Sequence, residues 1–216
     1  MRTALVVGGT GLVGGHLVER LLKSDDYSSI TVLVRKRSFD LSPKLNEKIF
    51  DFKDEKSFTQ IEPHQNVFCC LGTTIKKAGS KEAFRFVDYE LPVRIAKQAE
   101  LNKAESFSIV TSMGADVSSK IFYNRVKGEV EQRIQECSIP RIQIFRPSLI
   151  MGDRNEFRMG EMLGKGLFSI LNPLMIGAAK KYRGIHGENI AKGMIYHLDS
   201  LPEGTHIIES DKIKPD

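Results

Sequence analysis

Tyr123 and Lys127 stand four residues apart in Tyr123-Asn124-Arg125-Val126-Lys127, a spacing that puts both on one face of a helix. A phenol, with an ordinary pKa of about 10, exchanges protons poorly near neutrality. A lysine ammonium beside it favours the phenolate and draws the exchange toward the range where general acid–base catalysis is efficient. Upstream, Thr111-Ser112 closes the apolar run 107–110. A serine hydroxyl at that strand end can steady the substrate oxygen that the phenol protonates or deprotonates. A Tyr-x-x-x-Lys pair is also an ordinary feature of a helix surface. Its position after Ser112, and after a glycine-rich turn, gives it a chemical meaning.

That turn is Gly8-Gly9-Thr10-Gly11-Leu12-Val13-Gly14. Gly8, Gly11 and Gly14 form G-x-x-G-x-x-G, and Gly9, Gly11 and Gly14 also satisfy G-x-G-x-x-G. Before it lies the apolar run 4–7; after it Leu12, Val13, Leu17, Val18, Leu21 and Leu22 recur at helical intervals. Glycine lets the backbone approach a ligand closely, and the first amides and dipole of the following helix favour an anion. The expected guest is a pyrophosphate. A tight strand-to-helix turn without a ligand uses the same glycines, so the reading depends on what other strand ends carry.

Strands and helices alternate along the chain. Strands are expected at 30–34, 48–52, 66–71, 107–110 and 142–145, with helices at 81–101 and 123–137; Pro92 kinks the first of these helices or opens a new first turn. Helical crossovers imply an α/β fold, a Rossmann-type doubly wound parallel sheet, whose ligands bind beyond the carboxyl ends of the strands. The pattern breaks after Arg146. Segments 157–171 and 188–198 read as helices and 206–209 as a late strand, so residues 1–216 are expected to form one domain, with 147–216 supplying most of a substrate-side lobe. Met151, Phe157, Met159, Met162, Leu163 and Phe168 offer that lobe an apolar wall, or serve simply as core.

The strand ends refine the ligand. Val34-Arg35-Lys36-Arg37 places cations and no acid where an adenosine ribose is expected. A guanidinium grips phosphate through paired N–H donors, so Arg35, with Lys36 second, favours NADP(H) over NAD; the alternative is a solvated basic loop. Asp51-Phe52 offers a carboxylate and an aromatic to an adenine, and equally a turn residue and a core residue. Leu71-Gly72-Thr73 lets the backbone approach the middle of a dinucleotide, or is a plain turn.

Composition sets the outer limits. The chain has 216 residues, 41% hydrophobic and 27% charged, with a net charge of +5 spread along its length. This is an ordinary globular balance, which puts nucleic acid low as a primary ligand. No apolar run approaches the ~18 residues of a membrane span, and no basic-then-apolar leader opens the sequence. Cys69 and Cys70 are adjacent in an expected buried strand, and Cys137 stands apart. These cysteines suit core positions and a reducing compartment, so a cytoplasmic protein is expected. With no C-x-x-C and scattered histidines, no metal is expected. A monomer or homodimer fits the size.

Taken together, these motifs resemble the short-chain dehydrogenase/reductase superfamily, within it the atypical branch typified by the Tat-interacting oxidoreductases and their bacterial relatives. The carrying pieces include Cys70-Leu71-Gly72-Thr73-Thr74 with Lys77-Ala78-Gly79, and Thr111-Ser112-Met113-Gly114-Ala115-Asp116. Tyr123-x-x-x-Lys127-Gly128-Glu129, Arg146-Pro147-Ser148, and Gly152-Asp153-Arg154 with Arg158-x-Gly160-Glu161 complete them. The resemblance implies an NADP(H)-binding Rossmann domain acting on a carbonyl or alcohol, with Ser112, Tyr123 and Lys127 catalytic. It implies Gly9, Thr10, Gly11, Leu12 and Val13 at the pyrophosphate, between Gly8 and Gly14, and Arg35 and Lys36 at the 2′-phosphate. Leu71 and Gly72 would meet the central ribose and Lys127 the nicotinamide ribose. Ile150 and Arg158 would lie toward the nicotinamide or the phosphates, and Thr73, Thr111, Arg146 and Pro147 are counted with the cofactor site. Some similar proteins act as regulators that sense nucleotide, so a sensor working through protein partners is the alternative.

Overall fold

The computed structural model describes residues 1–152 and 181–214. Its elements run β1 (Arg2–Val7), α1 (Leu12–Lys23), β2 (Tyr27–Val34), β3 (Leu45–Ile49), α2 (Glu55–Phe58), β4 (Asn66–Cys69), α3 (Ile75–Ala78) and α4 (Lys81–Arg85). A π-helical turn, Phe86–Glu90, leads into α5 (Leu91–Leu101), β5 (Ser106–Val110), α6 (Phe122–Gln135) and β6 (Arg141–Arg146). The short β7 (Ile150–Met151) and β8 (Ile185–His186) follow, then α7 (Gly187–Ser200), β9 (Gly204–Glu209) and α8 (Ser210–Ile213).

The main sheet has the order β3-β2-β1-β4-β5-β6-β9, and all its pairings are parallel. Strand order therefore reverses between β1 and β4, which is where a sheet of this kind opens a crevice at its carboxyl edge. Alternate strand residues feed two separate cores, as a period of two requires. Ala4, Val6, Ile30, Val32, Phe68 and Phe145 pack under α1 and α7. Leu5, Val7, Leu33, Val67, Ile109 and Ile144 pack under α5 and α6. The expected doubly wound α/β sheet is what forms.

Three local differences have physical causes. The third strand runs 45–49 rather than 48–52, because its register is set by pairing Leu45–Ile49 against Ile30–Val34; Phe50, just past its end, turns into the core. The helix expected over 81–101 starts behind Ser80, whose hydroxyl accepts the Ala83 amide, and widens into the π turn before Pro92. Pro92 then sits in the first turn of α5, where a missing N–H leaves no bond unmade. Third, β9 pairs in parallel with β6 and α7 packs on α1, so both belong to the sheet domain. The helix expected at 157–171, and with it Phe157, Met159, Met162, Leu163 and Phe168, lies outside the described residues. Among the described residues no helix is long and apolar enough to cross a membrane, and no cluster of three or more metal-ligating side chains occurs.

Candidate active site

The glycine turn joins β1 to α1 with no room for side chains. Gly8 has φ +84°, and a Cβ there would lie 2.6 Å from the Cys70 carbonyl carbon. A Cβ on Gly14 would lie 2.2 Å from the Gly8 carbonyl oxygen. Gly8 and Gly14 thus let the first turn of α1 press against the ends of β1 and β4. The Gly11 amide donates to Gly8 O at 2.9 Å, and Gly11 caps α1 with no side-chain hydrogen bond, so the first-turn amides are left for an anion.

Beyond the strand ends lies a cleft of about 1060 Å³. Its walls include Gly8, Thr10, Gly11 and Leu12 from the turn, Arg35 after β2, Asp51 and Phe52 after β3, Leu71, Gly72 and Thr73 after β4, and Ile150. Phe52 answers both of its readings: it packs edge-on against Phe50 with ring centroids 4.9 Å apart, and it lines the cleft. Asp51 accepts the Lys53 amide at 2.9 Å as a turn residue, and also borders the cleft. On the far side of the turn a second hollow is lined by Gly9, Thr10, Gly15, Arg35, Lys36, Ser38 and Phe39. Arg35 and Lys36 are exposed. Glu47 holds the loop behind them, accepting the Ser38 amide at 2.5 Å and lying 3.9 Å from Arg37.

Tyr123 and Lys127 meet at the inner end of the cleft, in a small hollow shared with Leu12, Val13, Leu71, Gly72, Thr111 and Ile150. The buried ring of Phe84 steadies the phenol, with centroids 5.4 Å apart. Lys127 is buried, and its Nζ lies 2.8 Å from Oδ1 of Asp88. Burial alone draws its ammonium toward losing the proton; the Asp88 carboxylate, helped by Tyr123, more than reverses this, and the pKa rises above the ordinary lysine value. Ser112 is buried but is not among the residues lining that hollow, and among the described residues its Oγ has no hydrogen-bond partner.

A family model described as HIM1 matches residues 32–176. The chain belongs to the HIM1 family. Over 174 residues it is 32% identical to the rat (Rattus norvegicus) protein HTATIP2, covering 79% of this chain and 72% of that one. It is 33% identical over 220 residues to the Candida albicans protein named "Protein FMP52, mitochondrial", covering 92% and 96%. The enzyme WbmH of Bordetella bronchiseptica, solved in complex with NAD+, superposes with a TM-score of 0.72 at 13% identity over 97% of this chain and 76% of that one. That likeness shows the fold, a Rossmann-type sheet shared by NAD(P)-binding dehydrogenases and epimerases. The branch inferred from the motifs is the one found.

The expectation of a cytoplasmic protein is overturned by the HIM1-family relatives, since the fungal ones are named mitochondrial. That expectation rested on cysteine usage, which does not separate the cytoplasm from another reducing compartment.

Not every residue expected at the cofactor lines the cleft of this HIM1-family chain. Gly14 is a packing position. Arg146 turns its guanidinium to Glu131 and Glu209, and Pro147 accepts the Met113 amide at 2.9 Å; neither borders the cleft. Arg158 lies outside the described residues. Reading by motif also missed three side chains. Ser38 and Phe39 follow the basic run with no pattern to mark them. Asp88 did leave a signal: it falls on the apolar stripe Phe84, Leu91 and Ile95, an odd place for a carboxylate unless a partner waits there.

Proposed function

We propose that this HIM1-family chain is an NADP(H)-dependent oxidoreductase that interconverts a carbonyl compound and its alcohol at a Ser112–Tyr123–Lys127 site. The observation that carries the reading is the shared hollow in which Tyr123 and Lys127 meet Leu71 and Gly72 at the inner end of the cleft. A dinucleotide suits the residues present. The cleft volume of about 1060 Å³ is slightly above the roughly 300–1,000 Å³ typical of ligand sites, room enough for a dinucleotide. The uncapped amides of α1 suit a pyrophosphate. Arg35 and Lys36, with no acid beside them in the second hollow, suit a 2′-phosphate better than a free ribose hydroxyl.

When bound, the nicotinamide gives or takes the hydride at the substrate carbon. The rest falls to the chain. In reduction the Tyr123 hydroxyl delivers a proton to the carbonyl oxygen, while the Ser112 hydroxyl donates a hydrogen bond to the same oxygen and stabilises the charge growing on it. Lys127, held charged by Asp88, steadies the phenolate left behind. In oxidation the same groups run in reverse.

A second reading, a nucleotide-sensing module that works through protein partners, draws support from Leu12. This residue lines the cleft and also packs where a Cβ on Gly152 or Gly187 would come within 2.5 or 2.8 Å of it. The cofactor turn therefore touches the C-terminal segment directly. Turnover separates the two readings. With a panel of aldehydes, ketones and quinones, NADPH oxidation above the enzyme-free rate is expected; binding of NADPH with no turnover across the panel favours the sensor.

A further inference from the structure

We propose that Asp88 is a positioning residue of the proton-transfer site: its carboxylate anchors the Lys127 ammonium and, through the Thr73 amide, locks it to the cofactor-lining loop after β4. The inference rests on the role proposed above for Tyr123 and Lys127. Asp88 lies in the π-helical turn Phe86–Glu90 and is fully buried, with a side chain at 0% exposure. Oδ1 is 2.8 Å from Lys127 Nζ, and Oδ2 accepts the Thr73 amide at 2.9 Å. Thr73 belongs to Leu71-Gly72-Thr73, a wall of the cleft. One carboxylate thus bridges the loop expected to touch the cofactor and the lysine expected to serve the phenol.

A packing role does not account for this arrangement. Burying two charges costs more than burying apolar groups of similar size, and such pairs are often replaced by hydrophobic residues without loss of stability. A carboxylate on the inward face of a helix otherwise built on Phe84, Leu91 and Ile95 therefore calls for a use. The π turn supplies it, since the extra residue swings position 88 toward β4 and α6; such turns recur at functional sites.

Among the described residues, the titratable groups that act on Lys127 are Asp88 from the π turn, Tyr123 one turn earlier on α6, and Cys69 from β4. Burial pushes the Cys69 thiol up to about 12, so it remains neutral. Against the pull of burial, the ammonium therefore depends chiefly on Asp88.

Asp88→Asn keeps the size, can still accept the Thr73 amide, and removes the charge. The direct test follows the Lys127 side chain by heteronuclear NMR through a pH titration, with Lys127→Met identifying the signal. In Asp88→Asn the midpoint is expected at least one pH unit below wild type, a tenfold change in the ionisation constant, and the alkaline limb of NADPH affinity or turnover should move down with it. An unchanged midpoint, or a lowered midpoint with an unmoved limb, overturns the proposal. Should Asp88→Asn fold poorly, thermal unfolding of Lys127→Met and of the double variant decides instead. Asp88→Asn is expected to raise the Tm of Lys127→Met, by relieving a carboxylate left alone; a fall as large as in the wild-type background overturns the proposal. Failure of the wild-type protein to bind any nicotinamide nucleotide would fell the proposed function, and the titration would still decide whether Asp88 anchors Lys127.

Discussion

The Arg146 guanidinium at the end of β6 is gripped by the Glu131 carboxylate on α6, with Nε 3.1 Å from both oxygens and Nη2 2.5 Å from Oε2. Thr111 Oγ1 donates to the same carboxylate at 2.6 Å, and Glu209 on β9 lies 3.3 Å from Nη1. The Glu131 hydrogen bond outweighs burial and raises the Arg146 pKa. The strands β6 and β9, the helix α6 and the residue after β5 are thereby tied together by an arginine whose motif counted it with the cofactor site.

Glu131→Gln removes the buried charge that holds Arg146. Chemical unfolding is expected to show a loss of about 2–3 kcal/mol, below the full value for a broken buried pair because Arg146 keeps Glu209 and partial contact with water. NADPH affinity of the folded variant should not change. A weakened affinity with stability intact would return Arg146 to the cofactor.

Alkaline pH provides a separate check on the core. Burial raises the Cys69 thiol from 9.0 to about 12 and the Tyr27 phenol from 10.0 to about 12. Both folded-state values exceed the unfolded ones, so the stability these groups contribute is complete below pH 9. It is lost as pH rises toward 12, because the unfolded chain releases protons that the folded chain retains. For Cys69 the slope approaches about 1.4 kcal/mol per pH unit within that window. Urea unfolding between pH 8 and 11 should show a steeper decline for wild type than for Cys69→Ala. Parallel declines would mean that the thiol is not shielded as described.

Arg35→Ala tests cofactor choice. The loss of a charge-assisted contact to phosphate, about 1.5–3 kcal/mol, is expected to weaken NADPH binding by roughly tenfold to a hundredfold, while NADH binding stays as it was. Calorimetric titration with both nucleotides reads this directly. An equal effect on NADPH and NADH would take the 2′-phosphate away from Arg35.

The sheet was legible because its inner strands β1, β2, β4 and β5 are largely buried and apolar and its first turn is crowded with glycine; no other residue fits at Gly8 or Gly14. Tyr123 and Lys127 were legible because i, i+4 spacing survives any helix. Arg146 was misleading for a physical reason: Glu131 and Glu209, 15 and 63 residues away in sequence, hold it, and no local pattern records a distant pair. Asp88 escaped because its meaning depends on a lysine on another helix. The third strand slipped because Phe50 and Phe52 are apolar for the sake of the core and the cleft rather than the ladder. The pair β7 and β8, two residues each, is too short for periodicity to mark.

If the Tyr123 hydroxyl moves the proton while other groups carry most of the nucleotide binding, one paired measurement shows it. NADPH affinity and carbonyl-dependent NADPH oxidation are measured on the same preparations of wild type and Tyr123→Phe. Matching affinities are expected, with a rate in Tyr123→Phe lower by at least ~100-fold, the scale on which a general acid contributes. A Tyr123→Phe protein that turns over as fast as wild type would contradict it.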